Sequence, residues 1–375
     1  MIYLDNAATS YPKPETVYKA NDYALRNSAN PGRGAYQLAM DSARMVFTCR
    51  NKIKALINAE STRNIILTKN CTEGLNIAIF GALSPGDHVI TTYLEHNSIL
   101  RPLHEMEERG VEVTYVEPSM NLTEDILKNV KYNTKMVAIS HVDNLVGFKK
   151  DIEAIGNRLS DNILFLVDVA QSLGHEKIDV QKYRMDLCAA PGHKSLFGPM
   201  GTGFLYVKNP DTLTTFMVGG TGSESSSPVQ PNFSPDKFEA GTLGVPAYAA
   251  LEAGIEFVMN ETEEKITKKV HTLARKMFLE FEKIDGVKTY SIGGVDTITS
   301  VVSINIKDMD SGEVSDILAN KYGICTRSQM HCAPLSHKFF NTLKSGMVRF
   351  SPGYFTTDEE IEKAVLAVKE IAAEK

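Results

Sequence analysis

Short apolar runs rich in β-branched residues alternate with longer segments of helical periodicity along the first two thirds of the chain. Short buried runs of this kind favour strands, and strands that alternate with helices favour βαβ units and a parallel sheet. The pattern predicts seven strands, at residues 64–68, 88–92, 112–116, 136–140, 164–168, 187–190 and 203–207. The predicted fold class is therefore α/β, with a large and mostly parallel sheet.

The last third of the chain follows a different pattern. A Gly- and Ser-rich passage at 217–235 predicts a long loop, a feature that is usually functional in a compact domain. One long helix is predicted at 246–282, followed by strands at 300–306 and 347–352 and by a final helix over "TDEEIEKAVLAVKEIAAE". This mixture predicts a second, smaller domain of the α+β class.

Composition narrows the range of partners. The 375-residue chain has a formal net charge of −6 and no cluster of Lys and Arg, so we expect neither nucleic acid nor an anionic membrane surface as partner. The start "MIYLDNAATS" has neither a basic nor an apolar region, and no run of about 18 apolar residues follows. We expect a cytoplasmic protein.

The five cysteines of the chain lack CxxC spacing, which argues against disulfides and a four-cysteine zinc site.

Lys194 and Asp168 are the first candidates for chemistry. Lys194 lies in the Gly- and Pro-rich turn "PGHKSLFGP" after a buried strand, where desolvation would lower its pKa towards values useful for imine formation. Asp168 ends a strand, at the edge where open α/β sheets bind ligands. Each residue alone also fits a structural role, as a loop lysine or a helix cap. Together they match the two groups that pyridoxal phosphate requires, a Schiff-base lysine and an aspartate at the pyridine nitrogen.

Two further segments place polar residues after strands. Thr72, next to Cys71 in "NCTEGLNIA", begins a predicted helix whose free N–H groups suit a phosphate, although a plain helix cap explains it equally. His96 in "TYLEHNSIL" follows the next strand. Its imidazole could be a surface group, or it could stack on a cofactor ring and exchange protons with a substrate.

The stretch "TRSQMHCAPLSH" leaves three interpretations of Cys332 open: a metal ligand, a reactive nucleophile or a small apolar residue. A zinc site would use His331, Cys332 and His337, but Pro334 breaks the helical spacing and no fourth ligand is suggested. An activated thiolate would be favoured by the polar neighbours on both sides.

Taken together, these segments resemble the class V aminotransferase-like pyridoxal phosphate enzymes, and within them the cysteine desulfurases and selenocysteine lyases. The resemblance covers nearly the whole chain, through the ordered motifs "YLDNAATSYPKP", "NPGRGAYQLA", "CTEGLN", "EHNSI", "SHVDNLVG", "DVAQSLG", "PGHKSLFGPMGTG", "FEAGT", "RSQMHCAPLSH" and "VRFSPGYFTTDEEI". It implies the fold of that family, a homodimer with active sites at the subunit interface, and a sulfur-acceptor protein as partner. The domain division expected from it is residues 1–16 packing with the small domain, 17–256 as the large domain and 257–375 as the small one.

The resemblance also implies roles for individual residues. Cofactor contacts are expected from Lys194 as the Schiff-base lysine, Asp168 at the pyridine nitrogen, Gln171 and Asn144 at the ring hydroxyl, His96 over the ring, Cys71, Thr72 and His193 around the phosphate side, and Thr242 reaching the phosphate of the neighbouring subunit. Substrate contacts are expected from Arg349, which would pair with the carboxylate, and from Asn30, Arg33 and Arg327. Cys332 matches the sulfur-accepting cysteine.

The chain departs from the family pattern at Gly32, Tyr36, Pro191, Gly244 and Gln329. Because Gln329 stands where glycine is usual, we expect a less mobile cysteine loop.

The sequence thus predicts an enzyme that converts L-cysteine to L-alanine with a persulfide on Cys332, with L-selenocysteine as a further substrate. Two alternatives stay open. An aminotransferase or epimerase of the same fold would need no cysteine in the "HCAPLSH" loop. A zinc-binding or interaction protein is the more remote alternative.

Overall fold

A computed structural model describes residues 1–32 and 34–374, so the predicted substrate residue Arg33 lies outside the described residues. Its helices are α1 (Glu15–Asn27), α2 (Gln37–Leu56), α3 (Cys71–Ala82), α4 (Asn97–Glu108), α5 (Leu122–Lys128), α6 (Ile152–Gly156), α7 (Val245–Glu261), α8 (Glu263–Glu282), α9 (Ser311–Tyr322), α10 (Pro334–Phe339) and α11 (Asp358–Glu374). Its strands are β1 (Ile2–Tyr3), β2 (Ile65–Thr68), β3 (His88–Thr92), β4 (Glu112–Val116), β5 (Thr134–Ser140), β6 (Leu164–Asp168), β7 (Leu187–Pro191), β8 (Gly203–Val207), β9 (Val287–Tyr290), β10 (Val302–Ile306), β11 (Ile324–Cys325) and β12 (Val348–Phe350).

Seven strands form one sheet in the order β2-β8-β7-β6-β5-β3-β4. Strand β8 runs antiparallel to both of its neighbours, and the pairs β7-β6, β6-β5, β5-β3 and β3-β4 are parallel. The predicted fold class is therefore confirmed. The parallel strands end along one edge, which gathers the residues after β3, β5, β6 and β7 into one place.

Both faces of this sheet are covered by apolar side chains. Successive residues of a strand alternate between two clusters: Val137 and Ile139 of β5 belong to one, and Met136 and Ala138 to the other. This period of two follows from the pleat of the strand. Burial on both faces explains why these strands appear in the sequence as continuous apolar runs.

The C-terminal part contains a three-stranded antiparallel sheet in the order β12-β10-β9, packed with α8, α9 and α11 around its own apolar cluster. Strand β1 pairs in parallel with β11, and Leu4 joins that cluster. The N-terminal segment therefore contacts the C-terminal part of the chain. The predicted domain boundary after residue 256 stays a proposal. The break between helices that lies nearest to this boundary is at Thr262.

The single helix predicted over 246–282 is wrong. Thr262 has a φ of 68°, in the left-handed region, and separates α7 from α8. Its hydroxyl accepts the N–H of Lys265, and Glu263 and Glu264 lie in the first turn of α8. These polar residues are ordinary signals of a helix start. The prediction from apolar periodicity alone missed the break because the apolar pattern continues across it. No helix among the described residues combines the length and apolar character that crossing a membrane requires.

Candidate active site

The carboxyl edge of the sheet opens into a cavity of about 210 Å³. Asp168 ends β6, Lys194 follows β7, His96 follows β3 and the N-terminus of α3 closes one side. The predicted site residues that line it are Cys71, Thr72, His96, Asn144, Asp168, Gln171, His193, Lys194, Arg327 and Arg349. The fold thus brings together residues that are far apart in the sequence.

Lys194 lies in the turn between β7 and β8. Burial lowers the pKa of its ammonium group, Asp168 opposes this effect, and Arg349 adds to it, so that the pKa lies at about 8. A free lysine side chain has a pKa of about 10.4. The amine is therefore far more available as a nucleophile and proton acceptor near neutral pH than an exposed lysine would be.

Asp168 is 4% exposed. Its Oδ1 accepts hydrogen bonds from the backbone N–H of Ala170 at 2.8 Å and from the thiol of Cys71 at 3.4 Å. Burial raises the pKa of this carboxyl group, while the Ala170 N–H and Lys194 act in the opposite direction. A buried carboxylate held in this way suits a cationic ring nitrogen, because such a partner would neutralise it.

His96 caps the N-terminus of α4. Its Nδ1 accepts the backbone N–H of Ser98 at 3.0 Å, which places the proton of the neutral ring on Nε2. Burial, Lys194 and Arg327 lower the pKa of the imidazole to about 4. His96 is therefore neutral at physiological pH, and it can donate its Nε2 proton or lie flat against a cofactor ring.

One side of the cavity is suited to an anion. Thr72 lies in the first turn of the 12-residue helix α3, and its Oγ1 lies 2.8 Å from Oγ of Ser98. Nδ1 of His193 is buried and makes no hydrogen bond within residues 1–32 and 34–374. The helix dipole, two hydroxyls and an imidazole can together bind a phosphate group. Ser98 was missed in the sequence, although its position two residues after His96 at a helix start was a usable signal.

Arg349 also lines the cavity and is 1% exposed. Its Nη1 donates to the carbonyl of Asn144 at 2.8 Å, and its Nη2 pairs with Oδ1 of Asp5 at 3.0 Å. Its Nε is buried and makes no hydrogen bond to any described residue. Asp5 was not anticipated from the sequence, because nothing in "YLDNAATS" indicates a partner 344 positions away.

Cys332 lies beside this cavity, in a half-buried position. Its Sγ is 3.8 Å from Nη2 of Arg327, and its carbonyl accepts the N–H of Asn97 at 2.8 Å. Gln329, His331 and Cys332 all have positive φ values, of 72°, 48° and 57°. The cysteine loop is thus held in a conformation that costs non-glycine residues free energy.

The zinc alternative for this loop finds no support in the geometry. Nε2 of His331 lies 3.1 Å from the carbonyl of Arg327, and Nδ1 of His337 lies 2.8 Å from Oγ1 of Thr342. Among the described residues, no group of three ligand atoms close enough to share a metal ion includes Cys332.

Two predicted residues lie elsewhere. Asn30 and Thr242 line a separate surface groove together with Arg50 and Glu239. The structure therefore does not place them in the cavity that contains Lys194 of the same chain. Sequence motifs could not reveal this separation. A motif does not show whether its residues contribute to the site of their own subunit or to that of a neighbouring subunit.

The cavity residues fit pyridoxal phosphate. A lysine of lowered pKa would hold its aldehyde carbon, Asp168 its ring nitrogen, and Thr72, Ser98 and the unpaired His193 nitrogen its phosphate. The neutral His96 ring and Gln171 line the space between these groups.

Comparisons with known proteins agree with this geometry. The Aminotransferase class-V family model matches residues 2–364. A probable cysteine desulfurase of Methanothermobacter thermautotrophicus is 36% identical over 383 residues, covering 99% of this chain and 94% of the relative. The apo structure of a cysteine desulfurase from Thermococcus onnurineus NA1 has a TM-score of 0.92 at 30% identity, covering 100% of this chain and 95% of that one. The cysteine desulfurase CsdA of Escherichia coli has a TM-score of 0.86 at 26% identity, covering 99% and 94%.

The matched enzymes depend on pyridoxal phosphate. The resemblance and the cofactor predicted from the sequence motifs are therefore confirmed, as is the fold. The comparisons favour the desulfurase interpretation over an aminotransferase or epimerase without sulfur transfer.

Proposed function

Since the chain belongs to the class V aminotransferase family and, within it, to the cysteine desulfurases, we propose that it converts L-cysteine to L-alanine and transfers the sulfur to Cys332. The observation that carries this proposal is the placement of the Cys332 thiol. It lies against Arg327, which itself lines the cavity of Lys194 and Asp168.

Pyridoxal phosphate, when bound, supplies an electron sink for the charge that develops as the Cα–H bond of the substrate breaks. The chain supplies the proton acceptor, the amine of Lys194, whose pKa of about 8 suits transfer near neutral pH. Asp168 would stabilise a positive charge on the ring nitrogen of the bound cofactor. His96, with Nε2 carrying its proton, is placed to exchange a proton with the substrate.

Substrate orientation is assigned to Arg349. A planar guanidinium matches a carboxylate in a two-point contact, and the Nε of Arg349 is free of hydrogen bonds to the described residues. The Asp5 and Asn144 contacts hold the guanidinium plane in place. We place Asn30 and Arg33 near the substrate of a neighbouring subunit, as proposals that rest on the family motif.

Sulfur transfer then requires the thiolate of Cys332. The thiolate attacks the sulfur of the substrate, so that an S–S bond forms as the C–S bond breaks. The electron pair of the C–S bond goes to the carbon, which takes up a proton and becomes the methyl group of alanine. The contact of Sγ with Arg327 holds this sulfur beside the cavity that contains Lys194.

The test is sulfide release from L-cysteine in the presence of a reducing thiol. We expect Cys332→Ala to keep the visible absorbance of bound cofactor and to lose sulfide release, whereas Lys194→Ala loses both. Cys325→Ala is the matched control, since Cys325 is equally half-buried but lies on β11. Sulfide release by Cys332→Ala at the unmutated rate would disprove the persulfide role.

Three finer statements belong to the same proposal. L-selenocysteine is a second substrate, and selenium would leave with less dependence on Cys332, so the Cys332→Ala variant should retain activity on it. The enzyme is a cytoplasmic homodimer in which the groove with Asn30 and Thr242 faces the cavity of the partner subunit, and a sulfur-acceptor protein takes the persulfide. Light scattering of the purified holoenzyme measures the dimer, and Thr242→Ala should weaken cofactor retention without altering the monomer fold.

A further inference from the structure

A second cavity, of about 740 Å³, lies beside the segment that follows β6. Glu176 of that segment and His271 of α8 both line it. His175 is the neighbour of Glu176 in the chain. One possible ligand atom from each of His175, Glu176 and His271 lies within 4.8 Å of the other two. None of these residues takes part in the proposed desulfurase chemistry.

Three polar atoms of this cluster are buried without hydrogen bonds. They are Nδ1 of His175, Oε1 of Glu176 and Nε2 of His271. Oε1 and Nε2 lie 3.0 Å apart, where they pair only when His271 is protonated, and Nδ1 of His175 has no hydrogen-bond partner among the described residues. His175 and Glu176 are only 4% and 6% exposed. Because unpaired buried polar atoms are costly, their occurrence on three neighbouring residues indicates a common partner.

The distances favour a cation as that partner. Nε2 of His271 and Oε1 of Glu176 are 3.0 Å apart. Two ligands at about 2.1 Å from one tetrahedral zinc ion are themselves about 3.4 Å apart. The pair therefore already has nearly the separation of two ligands of one ion. The ligand atom of His175 lies within 4.8 Å of the other two, and binding one ion would draw the three atoms together.

We propose that His175, Glu176 and His271 bind one divalent transition-metal ion of the zinc type, with a fourth position open to water in the 740 Å³ cavity. Two imidazoles and a carboxylate are a common zinc ligand set. Lys149 pairs with Oε2 of Glu176 at 2.6 Å, which leaves Oε1 for the ion and fixes the orientation of the carboxylate.

The ion would join two parts of the fold. His175 follows Gln171, which lines the cofactor cavity, by four residues, while His271 belongs to α8. The hydroxyl of Thr267, one helical turn before His271, already donates to the carbonyl of His175. The bound ion would thus fasten the segment after β6 to α8, which is a structural role.

The experiment uses the cofactor-loaded Cys332→Ser protein, so that the reactive thiol does not bind the probe ion. Zn²⁺ affinity is measured by competition with a chromophoric chelator, and Co²⁺ reports geometry through its visible absorption. We expect one equivalent of Zn²⁺ and a Co²⁺ spectrum typical of four or five ligands. His271→Gln should raise the Kd at least about tenfold. His104→Gln, on a histidine whose side chain is 71% exposed, should leave it unchanged.

Glu176→Gln provides a second variant if His271→Gln fails to fold, as judged by lost cofactor absorbance. Anomalous diffraction at the zinc edge from crystals of the unmutated protein gives an independent answer. A peak between His175, Glu176 and His271 supports the site. Absence of that peak in zinc-soaked crystals, or a Kd that both variants leave unchanged, would overturn the proposal.

Discussion

Nη2 of Arg327 lies 3.8 Å from Sγ of Cys332, while the same side chain lines the cavity of Lys194. The guanidinium therefore connects the thiol with the cavity that contains Lys194.

We expect Arg327→Gln to slow alkylation of Cys332 by iodoacetamide at pH 7 by about threefold or more, because the thiolate loses its neighbouring positive charge. The rate is measured by mass spectrometry of the peptide that contains Cys332. Arg158→Gln is the control, as Arg158 is an exposed residue paired with Glu124. Equal rates in the two variants would show that Arg327 does not activate the thiol.

The contact between Asp5 and Arg349 predicts an effect on stability. Asp5→Asn leaves the buried Arg349 charge without its carboxylate partner, and the expected loss is about 1–3 kcal/mol. Thermal unfolding of the holoenzyme measures it as a lowered Tm. Asp22→Asn removes an exposed helix pair with Arg26 and should change Tm little. A Tm equally insensitive to both changes would mean that Asp5 does not stabilise Arg349.

The lowered pKa of Lys194 predicts how the apoenzyme takes up its cofactor. With a pKa of about 8, about a tenth of the amine is neutral at pH 7, and only the neutral amine attacks an aldehyde. The rate of cofactor incorporation should rise about tenfold between pH 6 and 7 and level off above pH 8. Stopped-flow absorbance follows it.

Asp168→Asn supplies the check on the cause of that pH dependence. Since Asp168 raises the pKa of Lys194 against the effect of burial, its removal should move the plateau to lower pH. A plateau that moves to higher pH would contradict the assigned electrostatics.

Buried neutral histidines predict acid sensitivity. Burial lowers the pKa of His141 to about 3, with Lys149 adding to this effect and Glu176 opposing it. In the unfolded chain the same group has a pKa of about 6.5. Below pH 6.5 the unfolded state therefore binds a proton that the folded state does not, and stability falls as pH falls towards 3.

One such group gives the free energy of unfolding a slope of about 1.4 kcal/mol per pH unit. His141→Leu should remove it, so that the variant loses less stability than the unmutated protein between pH 6.5 and 5. Denaturant midpoints at several pH values measure the difference. His104→Leu, at an exposed position, should show the unmutated slope.

The sheet and the cavity could be predicted from the sequence because both depend on local patterns. Strand β6 ends at Asp168 where its apolar run ends, and Lys194 follows β7 within a turn rich in Gly and Pro. These signals lie within a few residues of the atoms that they place. The break at Thr262 was equally local, but a continuous apolar period outweighed its polar signal.

Contacts between distant segments could not be predicted. Nothing in the residues around Asp5 specifies Arg349, and nothing around Glu176 specifies His271, because each pair forms only when segments far apart in the sequence pack together. The positive φ of Gln329 likewise could not be predicted from the sequence. The sequence showed a departure from glycine there, whereas the left-handed backbone explains why glycine would be suited to that position.

Strand β1 pairs with β11, and residues 2 and 324 are partners in its register. Such a contact closes a long loop, which adds to the conformational entropy that its formation costs, and we expect it to form late in folding. We therefore expect the end of the cavity where Asp5 meets Arg349 to be completed after the large sheet has formed. During refolding, recovery of secondary structure should precede recovery of substrate affinity. The delay between the two recoveries would measure how long β1 and β11 take to pair.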